Sequence, residues 1–254
     1  MAKHTCAICG AEVGLISEQK LADGNFICRK VCSKKTFKIF DKVSATLPEV
    51  TAHIAQIETG TRIWNELLLP LKKSKNKTEK LEQMGIGGPL LYASPTTGLV
   101  ALVETRYKFM VFGKSEHVCV YRIADLMQYD FEEEEVENSE GKKEKKQYCV
   151  MMFKDTAGMA AFRLAVSGRK EYESIAKYFD TLFGIQKTLG NSINNAKRQL
   201  NAFKSLADTV KAAAAGTLDE AQAAQAAGAL DASVYGDRTQ WIEKADAALA
   251  PYKQ

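Results

Sequence analysis

Two close pairs of cysteines near the start of the sequence have the spacing of metal ligands. Cys6 and Cys9 are separated by two residues, Cys28 and Cys32 by three, and eighteen residues lie between the pairs. Four thiolates in two such pairs are a common ligand set for one tetrahedral Zn²⁺. Because protein ligands would fill all four positions, we expect a structural ion with no open position for water or substrate.

Paired cysteines have other uses, and three alternatives remain at this point. The four residues could form two disulfides, a thioredoxin-like redox site, or unrelated thiols of a core. A redox Cys-x-x-Cys is expected beside a βαβ pattern, which the neighbouring sequence lacks. His4 could replace one cysteine as a ligand, but four thiols already complete a zinc site, so we interpret His4 as an exposed bystander.

The cellular compartment also bears on the cysteines. The first five residues contain no apolar stretch, and no window of the sequence approaches the roughly eighteen apolar residues of a membrane-spanning helix. We therefore expect a cytoplasmic protein without a membrane span. Thiols are kept reduced there, which favours metal binding over disulfides.

The cysteine region resembles a known group, the small Cys₄ zinc-ribbon-like modules that open many bacterial proteins as a domain of unknown function. The shared pattern is Cys-x-x-Cys-Gly at 6–10, an apolar stretch at 14–16, Leu-x-Asp-Gly at 21–24 and Ile-Cys at 27–28. The likeness ends near residue 45. This chain has three residues between Cys28 and Cys32, where two are usual in the group. The resemblance implies metal binding and no particular activity.

Two helices are predicted after the cysteines. Apolar residues at near-helical intervals indicate a helix over 33–47 that closes the zinc module. A second helix is expected over 48–71, with a break at Gly60 and an end at Pro70. The polar stretch 72–82 then indicates a linker, and a glycine-rich segment near residue 85 marks the next boundary.

From residue 89 the apolar pattern changes to the period of two that is typical of strands. An amphipathic helix is expected after the strands, over 168–183. Seven strands are predicted between turn signals, over 90–93, 99–104, 107–112, 118–122, 127–135, 148–153 and 160–166. Seven antiparallel strands followed by one helix resemble the bacterial pleckstrin-homology-like (PH-like) barrel. That resemblance implies a binding function and does not select a ligand.

The C-terminal part of the sequence predicts further helices. An apolar seam runs from Ile193 to Ala214 at alternating spacings of three and four, as in a coiled coil. A capping box at 217–220 begins an alanine-rich helix, and a third helix begins at Asp237 or Thr239. These helices could form an intramolecular hairpin. Alternatively, they could join copies of the chain into a homo-oligomer or capture a helix of another protein.

Composition and charge set the outer limits of these predictions. The chain has 254 residues, 46% of them apolar and 26% charged, which indicates a folded protein of one large or two modest domains. The net charge of +4 does not by itself indicate nucleic acid, although its distribution is uneven. Basic residues crowd the cysteine region at Lys20, Arg29, Lys30, Lys34, Lys35, Lys38 and Lys42. Acidic residues cluster at Asp130, Glu132, Glu133, Glu134, Glu135 and Glu137.

The sequence as a whole predicts an α+β protein in four parts. These are a zinc-binding module at 1–47, a helical and basic connector at 48–84, a PH-like β-barrel with its helix at 85–185, and a helical tail at 186–254. The three histidines stand in unrelated contexts, and no nucleophile motif or phosphate-binding loop is present. We therefore expect a non-enzymatic adaptor that binds a protein or peptide partner. The alternative is nucleic-acid binding by the basic zinc module.

Overall fold

A computed structural model describes residues 3–76, 78–107, 113–138, 141–154, 156–185 and 237–253 of the chain. Residues up to 172, together with those from 241 onwards, belong to one unit, and residues 173–240 belong to another. Within the described ranges, no helix combines the length and the apolar character needed to cross a bilayer.

The Cys module, residues 3–46, begins with two small antiparallel hairpins. Strand β1 (His4–Thr5) pairs with β2 (Glu12–Val13), and β3 (Glu18–Lys20) pairs with β4 (Phe26–Cys28). Between β3 and β4, the N–H of Leu21 donates to the carbonyl of Asn25 at 2.9 Å. Strands of two or three residues are too short to hold one another, so contacts outside the ladders must fix them.

The second half of the Cys module corrects the helix expected over 33–47. Only Ser33–Lys35 form a helical turn, of the 3₁₀ type, and 36–46 run as turns and irregular chain. The Asp41 carboxylate accepts from the backbone N–H groups of Val43 and Ser44 at 3.0 and 3.3 Å. Such local bonds compete with a helical ladder. The helical spacing of the apolar residues therefore gave a wrong prediction. Phe37 is fully buried although it lies in an irregular segment.

Helix α1 (Leu47–Ile63) links the Cys module to the sheets. It begins with a capping box, in which Thr46 is the N-cap and its N–H donates to the Glu49 carboxylate at 2.7 Å. Residues Val50 and Ile54, on its first half, are buried among apolar side chains of the Cys module. Residue Ile63, at its end, lies in a separate core against the four-stranded sheet.

The helix does not break at Gly60 or end at Pro70 as predicted. A π-helical turn (Trp64–Leu68) continues α1, and α2 (Leu69–Lys73) follows it with Pro70 in its first turn. Gly60 is needed for a different reason. A Cβ at this position would stand 2.2 Å from the carbonyl oxygen of Val118, so glycine permits the close approach of helix and strand.

Seven further strands form two antiparallel sheets in chain order. One sheet has the order β5-β6-β7-β8 and the other has the order β11-β10-β9. The strands are β5 (Glu82–Met84), β6 (Leu90–Ser94), β7 (Leu99–Tyr107), β8 (Lys114–Arg122), β9 (Leu126–Glu137), β10 (Lys143–Phe153) and β11 (Ala161–Val166). Mixed helix and antiparallel sheet are as expected. However, no closed barrel joins the two sheets in the described part of the chain, and the predicted PH-like barrel is not confirmed.

The strand pattern explains where the sheet core lies. Residues 99–103 of β7 are all buried, which is why this stretch reads as a continuous apolar run. A separate strand was predicted over 107–112. Its first residue, Tyr107, is the last residue of β7, and 108–112 lie outside the described residues. Strand β5 was not predicted, because its residues were assigned to the connector before the strands.

The acidic run on β9 is paired with basic side chains of its own sheet. Glu133 contacts Lys145 at 2.8 Å and Glu135 contacts Lys143 at 3.2 Å, while Arg163 pairs with both Glu132 and Glu134. These are cross-strand pairs set by the register of β9, β10 and β11. Several charges of the acidic region thus have partners without the basic N-terminal region.

Two predicted helices are confirmed near the expected positions. Helix α3 (Arg169–Leu182) follows β11, and α4 (Thr239–Leu249) is followed by a 3₁₀ turn (Ala250–Tyr252). Helix α4 buries Ala245 in the core of the four-stranded sheet. The predicted helices over 193–214 and from 217 lie outside the described residues.

Candidate metal centre

The structure brings the four predicted cysteines together. The Sγ atoms of Cys6, Cys9, Cys28 and Cys32 all lie within 4.8 Å of one another. The Sγ distance is 3.8 Å between Cys6 and Cys32 and 3.7 Å between Cys9 and Cys28. Sulfurs held about 2.3 Å from one ion at tetrahedral corners stand about 3.8 Å apart, which fits these values. A disulfide needs about 2.05 Å, and all six cysteines of the chain are free.

The first pair of ligands lies on a knuckle that follows β1. The N–H of Cys6 donates to the carbonyl of Ala11 at 2.8 Å, and the N–H of Gly10 donates to the carbonyl of Cys6 at 2.9 Å. Gly10 has a φ of 73°, in the left-handed region that favours glycine. This turn brings Cys9 back toward Cys6, so the Cys-x-x-Cys-Gly pattern is explained by backbone geometry.

The second pair is positioned by β4 and the 3₁₀ turn. Cys28 is the last residue of β4, and Cys32 is the N-cap of the turn that begins at Ser33. Backbone N–H groups also point at the sulfurs. The N–H of Cys28 donates to Sγ of Cys6 at 3.3 Å, and the N–H of Cys32 donates to Sγ of Cys28 at 3.2 Å. Such donors stabilise thiolates, the form in which cysteine binds metal.

The four thiols do not ionise alike. Burial opposes ionisation of Cys6, but N–H groups of Cys9, Ile8 and Cys28 outweigh it and lower its pKa to about 6. The pKa of Cys32 is raised, first by burial and then by hydrogen bonds with the other cysteines. Four thiolates this close repel one another strongly without a cation. The donor set is therefore compatible with a metal site, and it does not identify the ion.

His4 lies outside this sulfur cluster and has contacts of its own. Its Nδ1 lies 2.8 Å from an Oε atom of Glu18, and its ring stacks on Phe26 with centroids 3.8 Å apart. His4 is half-buried rather than the exposed bystander that the sequence suggested. Its role in the structure is to pack β1 against the second hairpin.

The other two cysteines are not brought to the cluster. Cys119 and Cys149 are fully buried in β8 and β10, as expected for small apolar residues of a core. Burial raises the pKa of Cys149 to about 12 and also raises the pKa of Cys119. Both thiols therefore stay protonated at neutral pH, and neither has the character of a ligand or nucleophile.

A polar cluster that the sequence did not reveal joins the Cys module to the four-stranded sheet. The buried carboxylate of Glu104, on β7, accepts from the backbone N–H of Lys38 at 2.7 Å. Arg106 donates to the same carboxylate and to the carbonyls of Lys34 and Thr36. By donating to three acceptors, the Arg106 guanidinium holds the irregular loop against β7.

His53 on α1 and His117 on β8 both lie near Phe37. The sequence predicted unrelated contexts for the histidines, and for these two that prediction is wrong. The ring of Phe37 lies 5.7 Å from the ring of His53 and 6.5 Å from that of His117. The N–H of Phe37 donates to Nε2 of His53 at 3.2 Å, so the proton of the neutral ring is on Nδ1, facing Gln56 at 3.2 Å. Burial lowers the pKa of His53 to about 4. Only the packing of α1 against β8 makes this arrangement.

Comparison with known proteins concerns the N-terminal part of the chain. Residues 5–53 match the model of a family described as a domain of unknown function, DUF4428. The match contains all four clustered cysteines and ends within α1, which supplies part of the core of the Cys module. The N-terminal cysteine module of this chain is therefore similar to a family without an assigned function. No curated protein and no solved structure matches the chain.

Proposed function

We propose that Cys6, Cys9, Cys28 and Cys32 hold one structural Zn²⁺ in a non-enzymatic adaptor that binds a protein or peptide partner. The observation that supports the metal is the set of sulfur distances, with two Sγ pairs at 3.7 and 3.8 Å. With four thiolate ligands, the ion would have no open position for substrate. It would therefore stabilise the fold of the Cys module and take no part in a reaction.

The size of the site favours a single metal ion over a multi-iron cluster. Four sulfurs within 4.8 Å of one another surround a single ion, whereas the ligands of a multi-iron cluster must stand farther apart because each binds a different iron. A single iron fits the same tetrahedron. Elemental analysis of the purified full chain separates these cases: we expect one equivalent of zinc, and iron in its place would overturn the assignment.

Matched cysteine variants make this test specific. Cys9→Ser removes one ligand and is expected to abolish stoichiometric zinc, because three thiolates bind the ion far less tightly. Cys149→Ala removes a buried thiol outside the cluster and is expected to retain one zinc per chain. Equal zinc content in the two variants would place the metal elsewhere.

The binding role is supported by what lies around the sulfur cluster. Two other groups of ionisable residues have structural contacts: Glu104 and Arg106 hold a loop, and His53 is buried, which keeps it neutral at pH 7. The order of seven antiparallel strands followed by a helix also resembles the PH-like superfold, whose members bind ligands. In this proposal, the partner binds on a surface formed by these strands.

Crosslinking in the native host followed by mass spectrometry tests the adaptor role. We expect a specific protein partner whose crosslinks map to the Cys module or to the strands at 82–166. The Cys9→Ser variant should lose the crosslinks to the Cys module and keep those to the strands. Absence of any specific partner from the full-length protein would contradict the proposal.

A further inference from the structure

Exposed aliphatic and basic residues lie on two neighbouring loops of the Cys module. Leu15 and Ile16, in the loop between β2 and β3, are 76% and 88% exposed, and Val31, between the last two cysteines, is 56% exposed. Arg29 and Lys30 precede Val31 and are exposed as well. We call these five residues the basic tip.

Hydrogen bonds hold the two loops of the basic tip side by side. The N–H of Arg29 donates to the carbonyl of Ser17 at 2.8 Å, directly beyond the pairing of Glu18 with Cys28. The first loop is also closed on itself. The N–H of Ser17 donates to the carbonyl of Gly14 at 2.7 Å, and the N–H of Gly14 donates to the Ser17 hydroxyl at 3.0 Å. Leu15 and Ile16 are therefore presented by a fixed turn.

The positive charge of the basic tip has no partner in the described part of the chain, where neither Arg29 nor Lys30 forms an ion pair. The carboxylates of the neighbouring strands are already engaged. Glu12 pairs with Lys3 at 3.0 Å, and a carboxylate oxygen of Glu18 lies within hydrogen-bond distance, 2.8 Å, of Nδ1 of His4. The ion pairs on β9 likewise hold acidic side chains within their own sheet. Arg29 and Lys30 therefore remain available to a negatively charged partner.

We propose that the basic tip docks on the surface of a bilayer that contains anionic phospholipids. Leu15 and Ile16 would enter the headgroup region, and Arg29 and Lys30 would contact lipid phosphates. Peripheral membrane binding needs this combination of apolar side chains and adjacent cations. It goes beyond the adaptor function and depends only on a folded Cys module, whichever metal holds it.

Two other partners fit the basic tip less well. Nucleic-acid binding uses cations that contact phosphates and aromatic rings that stack on bases. The exposed apolar residues of the basic tip are all aliphatic, so they can neither stack on bases nor contact phosphates. A protein partner would need a pocket for a protruding turn, and protein interfaces draw most of their energy from Trp, Tyr and Arg. A fluid lipid interface accommodates a protruding aliphatic turn without a preformed pocket.

Flotation of the zinc-loaded full chain with phospholipid vesicles tests this proposal. We expect binding to vesicles of phosphatidylcholine with phosphatidylglycerol and little binding to phosphatidylcholine alone. The double variant Leu15→Ser with Ile16→Ser should bind at least about tenfold more weakly, because it removes the apolar contact. The double variant Arg29→Gln with Lys30→Gln should lose about fivefold per charge.

A matched control removes the same charge from another exposed segment. Lys73 and Lys75 are exposed outside the Cys module, and Lys73→Gln with Lys75→Gln should change vesicle binding by less than about twofold. The zinc content of every sample is measured alongside, so that loss of the metal is distinguished from loss of lipid contact.

A fluorescence readout locates the contact independently. The native Trp64 and Trp241 are buried, so Ile16→Trp adds one exposed indole at the basic tip. Its emission should shift to the blue with anionic vesicles, and brominated lipid should quench it. Val43→Trp, at a site 67% exposed elsewhere in the module, should show neither effect.

Several outcomes would overturn the proposal. One is equal binding of the native chain to neutral and anionic vesicles, and another is unchanged binding by the Leu15 and Ile16 double variant. Binding to duplex DNA without binding to vesicles would assign the basic tip to nucleic acid. A dimer that dissociates in the same double variant, in the absence of lipid, would assign it to a second copy of the chain.

Discussion

The Cys module and the four-stranded sheet use cysteine in opposite ways. In the Cys module, four thiols converge on one point between strands of two or three residues. In the sheets, Cys119 and Cys149 stand singly within strands of nine and eleven residues and are buried as small apolar side chains. The same residue type thus forms a candidate metal site in one region and packs as a small apolar side chain in the other.

The difference follows from how much apolar surface each region can bury. Residues 99–103 of β7 are buried without interruption, and alternate residues of this stretch share a core with Ile63 of α1 and Ala245 of α4. The Cys module instead contributes isolated residues such as Val13, Leu21 and Ile27 to its core. A segment of roughly forty residues rarely folds on apolar burial alone, so it needs disulfides, a metal or a partner. A metal ion bound by the four convergent thiols, as proposed above, would fill that need.

The largest effect is expected from breaking the sulfur cluster. Structural zinc contributes about 10–16 kcal/mol of apparent binding free energy at neutral pH, and most of this depends on the complete ligand set. Cys9→Ser should unfold residues 3–32 while the sheets remain folded. Amide hydrogen exchange would show this as lost protection in β1 to β4 and retained protection in β7. Equal loss in both regions would mean that they unfold as one.

The converse experiment removes packing from the sheet. Leu102 is fully buried in β7, and Leu102→Ala should lower the free energy of unfolding by about 2–5 kcal/mol, because it leaves a cavity. Zinc content should stay at one equivalent. Leu15→Ala, at an exposed position, is the control and should change stability by less than about 0.5 kcal/mol. Denaturant titration followed by circular dichroism measures both.

The junction between the two regions should respond to pH. The pKa of His53 is about 4 in the folded chain and near 6.5 when unfolded, because the native site excludes water. Between these values the unfolded chain binds more protons. The contribution is therefore fully present above pH 6.5 and is lost as pH falls to 4, by up to about 3 kcal/mol.

A variant separates this effect from other groups that titrate in the same range. His53→Gln keeps a hydrogen-bonding side chain beside Phe37 but cannot gain a proton. Its unfolding free energy should fall less steeply between pH 6.5 and 4 than that of the native chain. Parallel profiles would show that His53 is not the group responsible.

A smaller effect is expected where α1 crosses β8. Gly60→Ala would place a Cβ 2.2 Å from the carbonyl oxygen of Val118, so helix and strand must separate, at a cost of about 1–3 kcal/mol. Gly14→Ala in the Cys module meets no atom within 4 Å and should be nearly neutral. Thermal unfolding of the two variants makes the comparison, and equal melting temperatures would contradict it.

Local features were predicted best from the sequence. The knuckle at Cys6 and Cys9 and the turn before Cys28 depend on residues a few positions apart. Most strands were placed near their true positions for the same reason, since the period of two is a local pattern. The helix over 33–47 failed because side-chain bonds from Asp41 competed with the helical ladder.

The sequence by itself determined which thiols gather, because the spacing of Cys6, Cys9, Cys28 and Cys32 lets short turns bring them to one point. Only the tertiary structure decided how the Cys module meets the sheet. There Glu104 and Arg106 hold an irregular loop, and the rings of His53 and His117 both lie near Phe37. Gly60 permits the close approach of α1 to β8. These contacts join residues far apart in sequence, where packing geometry alone selects the partners.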